Sequence, residues 1–218
     1  NPDAKIIIMI REPRQVIYSW YYQMLMNGDE NIKDFQKALN MEEKRKKGKQ
    51  IPKTAATPSY LFYSEIPKFS KQIKEYLKYF NKNQIKIIIF DEFKKDTAKS
   101  YKKILNFLGV NNKYKPNFRI INKNSIISRP KLHKILFLTK RCKLKNKVPL
   151  WLKKWIFRVF ARLTTKPNKR PAINKKTEKK LKKKFKKEVI ELNKLLHKHN
   201  LIDKKTNLIK LWGYDQIS

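Results

Sequence analysis

The residues whose types and spacing could bind an anion are Arg11 and Ser19. Residues 3–10 form a short apolar run that predicts a buried strand, and Pro13 suits the first turn of a following helix. Ligands of α/β sheets bind at the carboxyl ends of strands, where Arg11 is expected to project. Ser19 follows eight residues later, about two turns into the helix. A guanidinium fork beside a hydroxyl suits one phosphate monoester group, although this spacing alone is a weak signal.

The segment around this pair resembles the 3′-phosphate-binding segment of the sulfotransferases that use 3′-phosphoadenosine 5′-phosphosulfate (PAPS). In that family a strand ends in Arg, an Asn-Pro pair follows, and a Ser comes eight positions after the Arg. Arg11, Pro13 and Ser19 stand at those positions. Glu12 and Gln15 replace the usual Asn and Asp, and neither change removes a phosphate ligand. Glu12 is nevertheless expected to bring a carboxylate close to the phosphate.

The resemblance continues over most of the chain. Residues 69–96, which include the predicted strand 84–90, are similar to the family's second strand with its acidic turn, and residues 104–110 resemble the helix end that follows. Residues 166–171, followed by Leu181, keep the spacing of a basic loop that closes over the nucleotide. Trp212 resembles the terminal Trp of the glycan-modifying, heparan-sulfate-type branch. The chain as a whole resembles this branch and the bacterial enzymes.

The resemblance implies transfer of a sulfuryl group from PAPS to a hydroxyl or amine of an acceptor. PAPS would be the co-substrate, adenosine 3′,5′-bisphosphate the product, and no metal would be required. Arg11 and Ser19 would bind the 3′-phosphate. Lys166, Lys169 and Arg170 would belong to the closing loop, although a solvated run of charge is an equally good interpretation of these three residues. The acceptor is expected to be a carbohydrate or a surface or lipid-linked glycan.

The sequence assigns no catalytic residue. The family's phosphosulfate-binding loop and its catalytic Glu or His lie upstream of the 3′-phosphate segment, so the catalytic residue is expected upstream of Asn1. None of the four glycines follows a predicted strand in a phosphate-loop pattern. We therefore expect either the C-terminal part of an enzyme or a degenerate, inactive copy.

The elements that must position the site alternate between strands and helices, which predicts the α/β class. The resemblance implies a three-layer parallel sheet with flanking helices, in a P-loop-NTPase-like sulfotransferase fold. Two strands do not make a stable sheet alone, so further strands are expected upstream. The polar residues 29–58 predict a weak helix followed by a mobile loop. The predicted strands are 3–10 and 84–90, and the predicted helices before residue 110 are 13–26, 63–80 and 97–108.

The C-terminal half is expected to be mostly helical and strongly basic. We expect residues 1–110 to form an α/β core and residues 111–218 to complete a single domain with it. The predicted helices are 130–141, 149–163 and 175–200. The last carries an apolar stripe at helical spacing, formed by Leu181, Phe185, Val189, Leu192 and Leu196.

The charge of the chain points to an anionic partner. Lys and Arg number 55 against 17 Asp and Glu, a net charge of +38. Most of these cations are Lys, which is typical of compositional drift, whereas phosphate or base recognition favours Arg, so specific nucleic-acid binding is not expected. Residues 97–177, however, contain 24 Lys and Arg and no Asp or Glu. The alternative function is therefore a non-catalytic basic module that binds a polyanion or an anionic membrane.

Residues 149–163 form an amphipathic segment with exposed cations and many aromatic side chains. Trp151 and Trp155 begin it, and its cations recur every four residues, at Lys154, Arg158 and Arg162. The segment is too short to span a bilayer but suits a membrane interface. The alternative is a helix packed into the domain with its charged stripe outward. The protein is accordingly expected in the cytoplasm, or at the inner face of a membrane.

The cysteine and histidine content of the chain does not indicate a disulfide framework or a metal site. Cys142 is the single cysteine, which excludes an internal disulfide framework and a Cys-cluster metal site. His197 and His199 are two residues apart and would lie on different faces of a helix, so they do not form a pair of metal ligands. A metal site is therefore not expected.

Overall fold

The computed structural model describes residues 1–119, 125–129, 132, 149–167 and 170–216. The chain forms two compact units, which are described separately. Unit 1 comprises Asn1–Val16, Ser64–Ile120 and Asn174–Ser218, and unit 2 comprises Ile17–Tyr63 and Ile121–Ile173. The predicted helix 130–141 and the candidate site residue Lys169 lie outside the described residues, Leu132 excepted.

The elements are named in chain order. The strands are β1 (Ile6–Ile10), β2 (Ile85–Ile89), β3 (Ser125–Ile127) and β4 (Thr165–Pro167). The α-helices are α1 (Pro13–Asn27), α2 (Phe35–Asn40), α3 (Glu42–Lys46), α4 (Phe69–Tyr79), α5 (Phe90–Lys95), α6 (Thr97–Leu108), α7 (Leu150–Thr164), α8 (Lys175–Lys198) and α9 (Leu208–Leu211). Short 3₁₀ turns occupy Pro58–Leu61, Tyr63–Glu65 and Lys82–Gln84.

The sheet of unit 1 confirms the two predicted strands. β1 and β2 pair in parallel, with Ile6 opposite Ile85 and Ile10 opposite Ile89. β2 is buried except at Lys86, as its mainly apolar sequence predicts. In β1, however, Ile7 and Met9 are 42% and 45% exposed. Because alternate residues of a strand share a face, one whole face of β1 is open to solvent, and the expectation of burial on both faces is wrong for this strand.

The long helix α8 provides much of the core of unit 1. All five residues of the predicted apolar stripe, from Leu181 to Leu196, are buried. Helix α4 packs against α8. The backbone N–H and the hydroxyl of Ser70 both donate to the carboxylate of Glu188, each at 2.8 Å. The stripe was predictable because its spacing of three and four residues repeats along one helix.

The ends of the helices follow the signals in the sequence. Helix α1 begins at Pro13 and is followed by Gly28, and α6 is closed by Gly109 with φ of +75°. This left-handed conformation favours glycine. At the start of α6, the Asp96 carboxylate accepts a hydrogen bond from the N–H of Lys99 at 2.9 Å. Asp96 is therefore the N-cap of α6.

Replacing Asp96 by Ala is expected to lower the free energy of unfolding by about 1 kcal/mol, because the backbone N–H of Lys99 in the first turn loses its acceptor. Urea denaturation followed by circular dichroism measures this loss. Asp96→Asn keeps a side-chain oxygen and serves as the control, with most of the stability retained. Equal stability of Asp96→Ala and the unmodified protein would contradict the capping role.

Unit 2 contains the remainder of α1, the short helices α2 and α3, and the segment from β3 to β4. β3 and β4 are antiparallel, with Ile126 opposite Lys166. Helix α7 leads directly into β4, which confirms the helix predicted over 149–163. None of the helices in the described part of the chain is long and apolar enough to cross a membrane.

Residues 29–58 are more ordered than the predicted mobile loop. Besides the two short helices, the segment contains buried polar groups, which include Asp29, Glu30 and Arg45. The Asp29 carboxylate accepts the N–H of Ala56 at 2.8 Å, which joins the two ends of the segment. The prediction failed because a polar composition does not show which of its charges are paired in the interior.

Candidate functional site

The carboxylate of Glu12 lies at the start of α1 and is buried. Its Oε1 accepts the N–H of Arg14 at 3.2 Å, and its Oε2 accepts the N–H of Gln15 at 3.1 Å. A carboxylate at this position satisfies free donors and matches the positive end of the helix dipole. Glu12 is thus a helix cap in unit 1.

Glu12 is also compensated by two side chains of unit 1. Arg14 Nε donates to Glu12 Oε1 at 2.7 Å, and the Tyr214 hydroxyl donates to the same oxygen at 2.7 Å. Burial lowers the pKa of Arg14, but the hydrogen bond and charge of Glu12 raise it more. Burial, followed by the charge of Glu12, raises the pKa of Tyr214. The carboxylate that we expected beside the phosphate is therefore engaged in an internal network.

Arg11 follows β1 directly and is positioned from two sides in unit 1. Its Nε donates to Gln15 Oε1 at 3.0 Å, and its guanidinium lies 4.4 Å from the centre of the Phe90 ring. Phe90 immediately follows β2, so the cation–π contact places Arg11 at the carboxyl edge of the sheet. Because Gln15 is a neutral amide, its hydrogen bond orients the guanidinium without adding an opposite charge.

Ser19 and Arg170 come together in unit 2. Arg170 Nη1 donates to Ser19 Oγ at 3.1 Å, and the Arg170 guanidinium lies 4.8 Å from the centre of the Tyr22 ring. The Tyr18 hydroxyl donates to the carbonyl of Pro171. One face of α1 thus holds residues 170 and 171. Sequence reasoning missed Tyr18 and Tyr22. Tyr22 lies three residues after Ser19 and four after Tyr18, a helical spacing that could have grouped them.

The electrostatics of Arg170 are unusual for a half-buried cation. Burial lowers the pKa of Arg170, and the nearby Tyr22 and Tyr18 offset this only in part. Within the described residues, no carboxylate forms an ion pair with Arg170, and its buried Nε has no hydrogen-bond partner. A desolvated guanidinium with an unsatisfied donor is costly by itself. An anion beside Ser19 would offset that cost, so this group of residues is suited to bind one.

The comparison with protein families decides what kind of protein carries this site. The sulfotransferase domain matches residues 1–198, which include Arg11, Ser19 and Arg170. The chain belongs to the sulfotransferase domain family. This confirms the resemblance drawn from the sequence, and the mixed α/β architecture of unit 1 agrees with the predicted fold class.

A solved structure matches part of the chain. The crystal structure of a sulfotransferase from Alicyclobacillus acidocaldarius is similar to this chain, with 26% sequence identity and a TM-score of 0.47. The match covers 64% of this chain and 51% of the other, so it spans about half the length of that sulfotransferase. No curated protein matches the chain.

The remaining candidates of this sulfotransferase-family chain are dispersed. Lys166 is exposed in β4, opposite Ile126 of β3. Arg11 belongs to unit 1, whereas Ser19 and Arg170 belong to unit 2. In the part of the chain that the structure describes, no group of three His, Cys, Asp or Glu side chains could hold a metal ion. Ser19 and Arg170 are the predicted site residues that the structure brings together.

Proposed function

We propose that this protein transfers a sulfuryl group from PAPS to a hydroxyl or amine of an acceptor and releases adenosine 3′,5′-bisphosphate. The observation that carries the proposal is the arrangement in unit 2. There Arg170 donates to Ser19, and its buried Nε has no hydrogen-bond partner among the residues that the structure describes. A nucleotide phosphate fits this donor set, because it would accept from both the guanidinium and the hydroxyl. Family membership supports the same substrate.

The proposed roles follow the sequence pattern. On the sequence pattern alone, Arg11 and Ser19 are proposed to bind the 3′-phosphate. Arg170, which contacts Ser19 within unit 2, is proposed as a cation of the closing loop. Lys166 and Lys169 are proposed for the same loop on the sequence pattern alone. Gln15 and Phe90 orient Arg11, and Tyr22 holds the guanidinium plane of Arg170.

PAPS supplies a sulfuryl group bonded to a phosphate oxygen, and that phosphate is the leaving group. An acceptor oxygen or nitrogen attacks the sulfur in line, the bond between sulfur and the phosphate oxygen breaks, and the acceptor loses a proton. Binding residues accelerate such a transfer by holding the two reactants in line, and cations stabilise the charge on the leaving oxygen. We assign no catalytic base, and the proposal uses Lys and Arg as the cations without a metal.

The remaining proposals concern the acceptor and the setting. We propose a carbohydrate or a surface or lipid-linked glycan as the acceptor, on the resemblance at Trp212. That Trp is buried in unit 1, where its Nε1 donates to Asp91 Oδ2 at 3.0 Å. A three-layer parallel sheet, a single domain and a cytoplasmic or membrane-peripheral location also stay proposals.

A second candidate function is a basic module that binds a polyanion without chemistry. The absence of Asp and Glu from residues 97–177 favours it, because 24 cations in that segment attract any polyanion. The two functions differ in the ligand that they prefer. A nucleotide site binds adenosine 3′,5′-bisphosphate more tightly than a nucleotide without the 3′-phosphate. Binding by a diffuse positive field depends instead on the total charge of the ligand and on the salt concentration.

A thermal-shift assay of the full chain, in about 150 mM salt to screen diffuse charge, compares adenosine 3′,5′-bisphosphate with 5′-AMP. At about 100 times its dissociation constant, the bisphosphate is expected to add roughly 2.7 kcal/mol of stability, and 5′-AMP much less. Arg170→Ala and Ser19→Ala are expected to reduce the difference. Arg162→Ala removes an exposed arginine of the same unit and serves as the matched control. Equal shifts for both ligands, or none, would overturn the proposed function.

A further inference from the structure

Helix α7 of unit 2 exposes large side chains that the proposed function does not use. Trp151 and Trp155 are 69% and 58% exposed. Arg158 and Arg162 are exposed on the same helix. The spacing of these four residues is four, three and four, which places them along one face. We call this set the Trp–Arg stripe.

An apolar flank lies beside the stripe. Ile156 and Leu163 are exposed, and helical spacing of 100° per residue places both on the side adjoining the Trp–Arg stripe. Single exposed apolar residues are ordinary, but two tryptophans and two branched aliphatic residues exposed on one helix form an apolar patch. Such patches on soluble surfaces mark places of contact with a partner or a membrane.

The charge around the patch identifies the class of partner. The segment 97–177, which contains α7, has no Asp or Glu, so no carboxylate of that segment opposes an anionic surface. Arginines attract anionic headgroups, tryptophans settle at headgroup depth, and aliphatic side chains reach the acyl boundary. A soluble polyanion would satisfy the arginines but would offer no apolar phase to Ile156 and Leu163. The combination therefore favours a phospholipid surface over a nucleic acid or a soluble sulfated chain.

We propose that α7 docks on an anionic phospholipid membrane through the Trp–Arg stripe, lying in the plane of the interface. The proposal does not depend on sulfuryl transfer. Helix α7 is about 22 Å long, long enough to lie flat on headgroups. It leads through β4 towards Arg170 in the same unit. Docking would therefore hold unit 2, which includes Arg170, at the membrane.

The test is co-sedimentation of the full chain with vesicles, in about 150 mM salt. Vesicles of equal parts phosphatidylglycerol and phosphatidylcholine are compared with phosphatidylcholine alone, and binding to the anionic vesicles is expected. The double variant Trp151→Ala/Trp155→Ala is expected to bind the anionic vesicles at least about tenfold more weakly than the wild type. Wild-type binding by this variant, or no binding of the wild type, would overturn the proposal.

Charge-reversal variants distinguish docking through the Trp–Arg stripe from attraction by the net positive charge of the whole protein. Arg158→Glu/Arg162→Glu changes the net charge by as much as Lys179→Glu/Lys183→Glu, whose lysines are exposed on α8 of unit 1. We expect the arginine variant to lose about tenfold in vesicle binding and the lysine variant much less. Equal losses would assign binding to total charge and overturn the proposal.

Two further readouts test whether the tryptophans enter the lipid interface. Tryptophan fluorescence is expected to shift to the blue on anionic vesicles and to be quenched by brominated phospholipids, because the exposed tryptophans enter the interface. Unquenched fluorescence of a protein that is bound would contradict insertion. Heparin, a soluble polyanion, is expected to bind the Trp151→Ala/Trp155→Ala variant as well as the wild type. If the tryptophan variant lost heparin binding and kept vesicle binding, the stripe would be a polyanion site and not a lipid site.

Discussion

Replacing Glu30 by Gln is expected to lower the free energy of unfolding by about 3–5 kcal/mol, because it leaves the charge of Arg45 buried without its partner. Both side chains are fully buried, with 0% exposure. The pair lies in unit 2, inside the segment whose polar composition predicted a mobile loop. The loss would show that this ion pair holds the segment in place.

The geometry around Glu30 explains the size of the effect. Arg45 Nη1 and Nη2 donate to the two carboxylate oxygens at 2.7 and 2.9 Å, and the Tyr63 hydroxyl donates to Oε2 at 2.7 Å. The backbone N–H groups of Asn31 and Ile32 also donate to Oε1. Burial raises the pKa of Glu30, but these hydrogen bonds and the charge of Arg45 lower it more. Loss of the charge therefore weakens several hydrogen bonds at once.

Urea denaturation followed by circular dichroism measures this prediction. Glu43→Gln is the matched control, since Glu43 is exposed in α3 and forms a surface ion pair with Lys46 at 3.3 Å. It is expected to cost less than about 1 kcal/mol. The double variant Glu30→Leu/Arg45→Met, which removes both charges, is expected to recover part of the loss. A cost for Glu30→Gln no larger than for Glu43→Gln would show that the buried pair does not stabilise unit 2.

The same pair predicts a dependence on pH. The pKa of Glu30 in the folded protein lies below its ordinary value of 4.5. Its contribution to stability is therefore complete above pH 4.5 and is lost as the pH falls through the lower, folded-state pKa. Glu30→Gln should consequently differ most from the wild type near neutral pH, and the difference should shrink in acid.

Replacing Glu12 by Ala is expected to lower the free energy of unfolding by about 3 kcal/mol. The substitution removes the cap of α1, worth about 1 kcal/mol. It also leaves the buried Tyr214 hydroxyl without its acceptor and removes the more buried of the two carboxylates that pair with Arg14. An unsatisfied buried polar group costs about 1–3 kcal/mol. The same chemical denaturation measures the loss.

Two variants make the Glu12 prediction specific. Glu178→Gln, which removes the outer and more exposed partner of Arg14, is expected to cost less than about 1 kcal/mol. Glu12→Gln keeps one side-chain oxygen, which can still accept from Tyr214 and from the Arg14 N–H, and should recover part of the stability. If Glu12→Ala were no more harmful than Glu178→Gln, the network would be ruled out as a major support of unit 1.

Local features were predictable because neighbouring residues decide them. The strands β1 and β2 follow from continuous apolar runs, and α8 follows from a stripe that repeats within one helix. Helix ends follow from Pro13, Gly28 and Gly109, whose backbone preferences act at their own positions. The family, likewise, was evident from the short segment 1–19, where the spacing of Arg11, Pro13 and Ser19 is local.

Pairings between distant residues depended on the tertiary structure. Tyr214 contacts Glu12 across 202 residues, and Arg170 contacts Ser19 across 151. No period or spacing in a sequence encodes such separations. We expected the Glu12 carboxylate close to the phosphate because the sequence does not show that Tyr214 contacts it.

What the sequence determined by itself was the family, the strands β1 and β2, the ends of α1 and α6, and the residue types of an anion site. The tertiary structure decided which polar side chains are buried and with which partners, including Glu30 with Arg45. It also decided which apolar faces stay exposed, on β1 and on α7. The physical reason is that burial and the desolvation of charge depend on which segments pack together, whereas helix and strand propensities act along the chain.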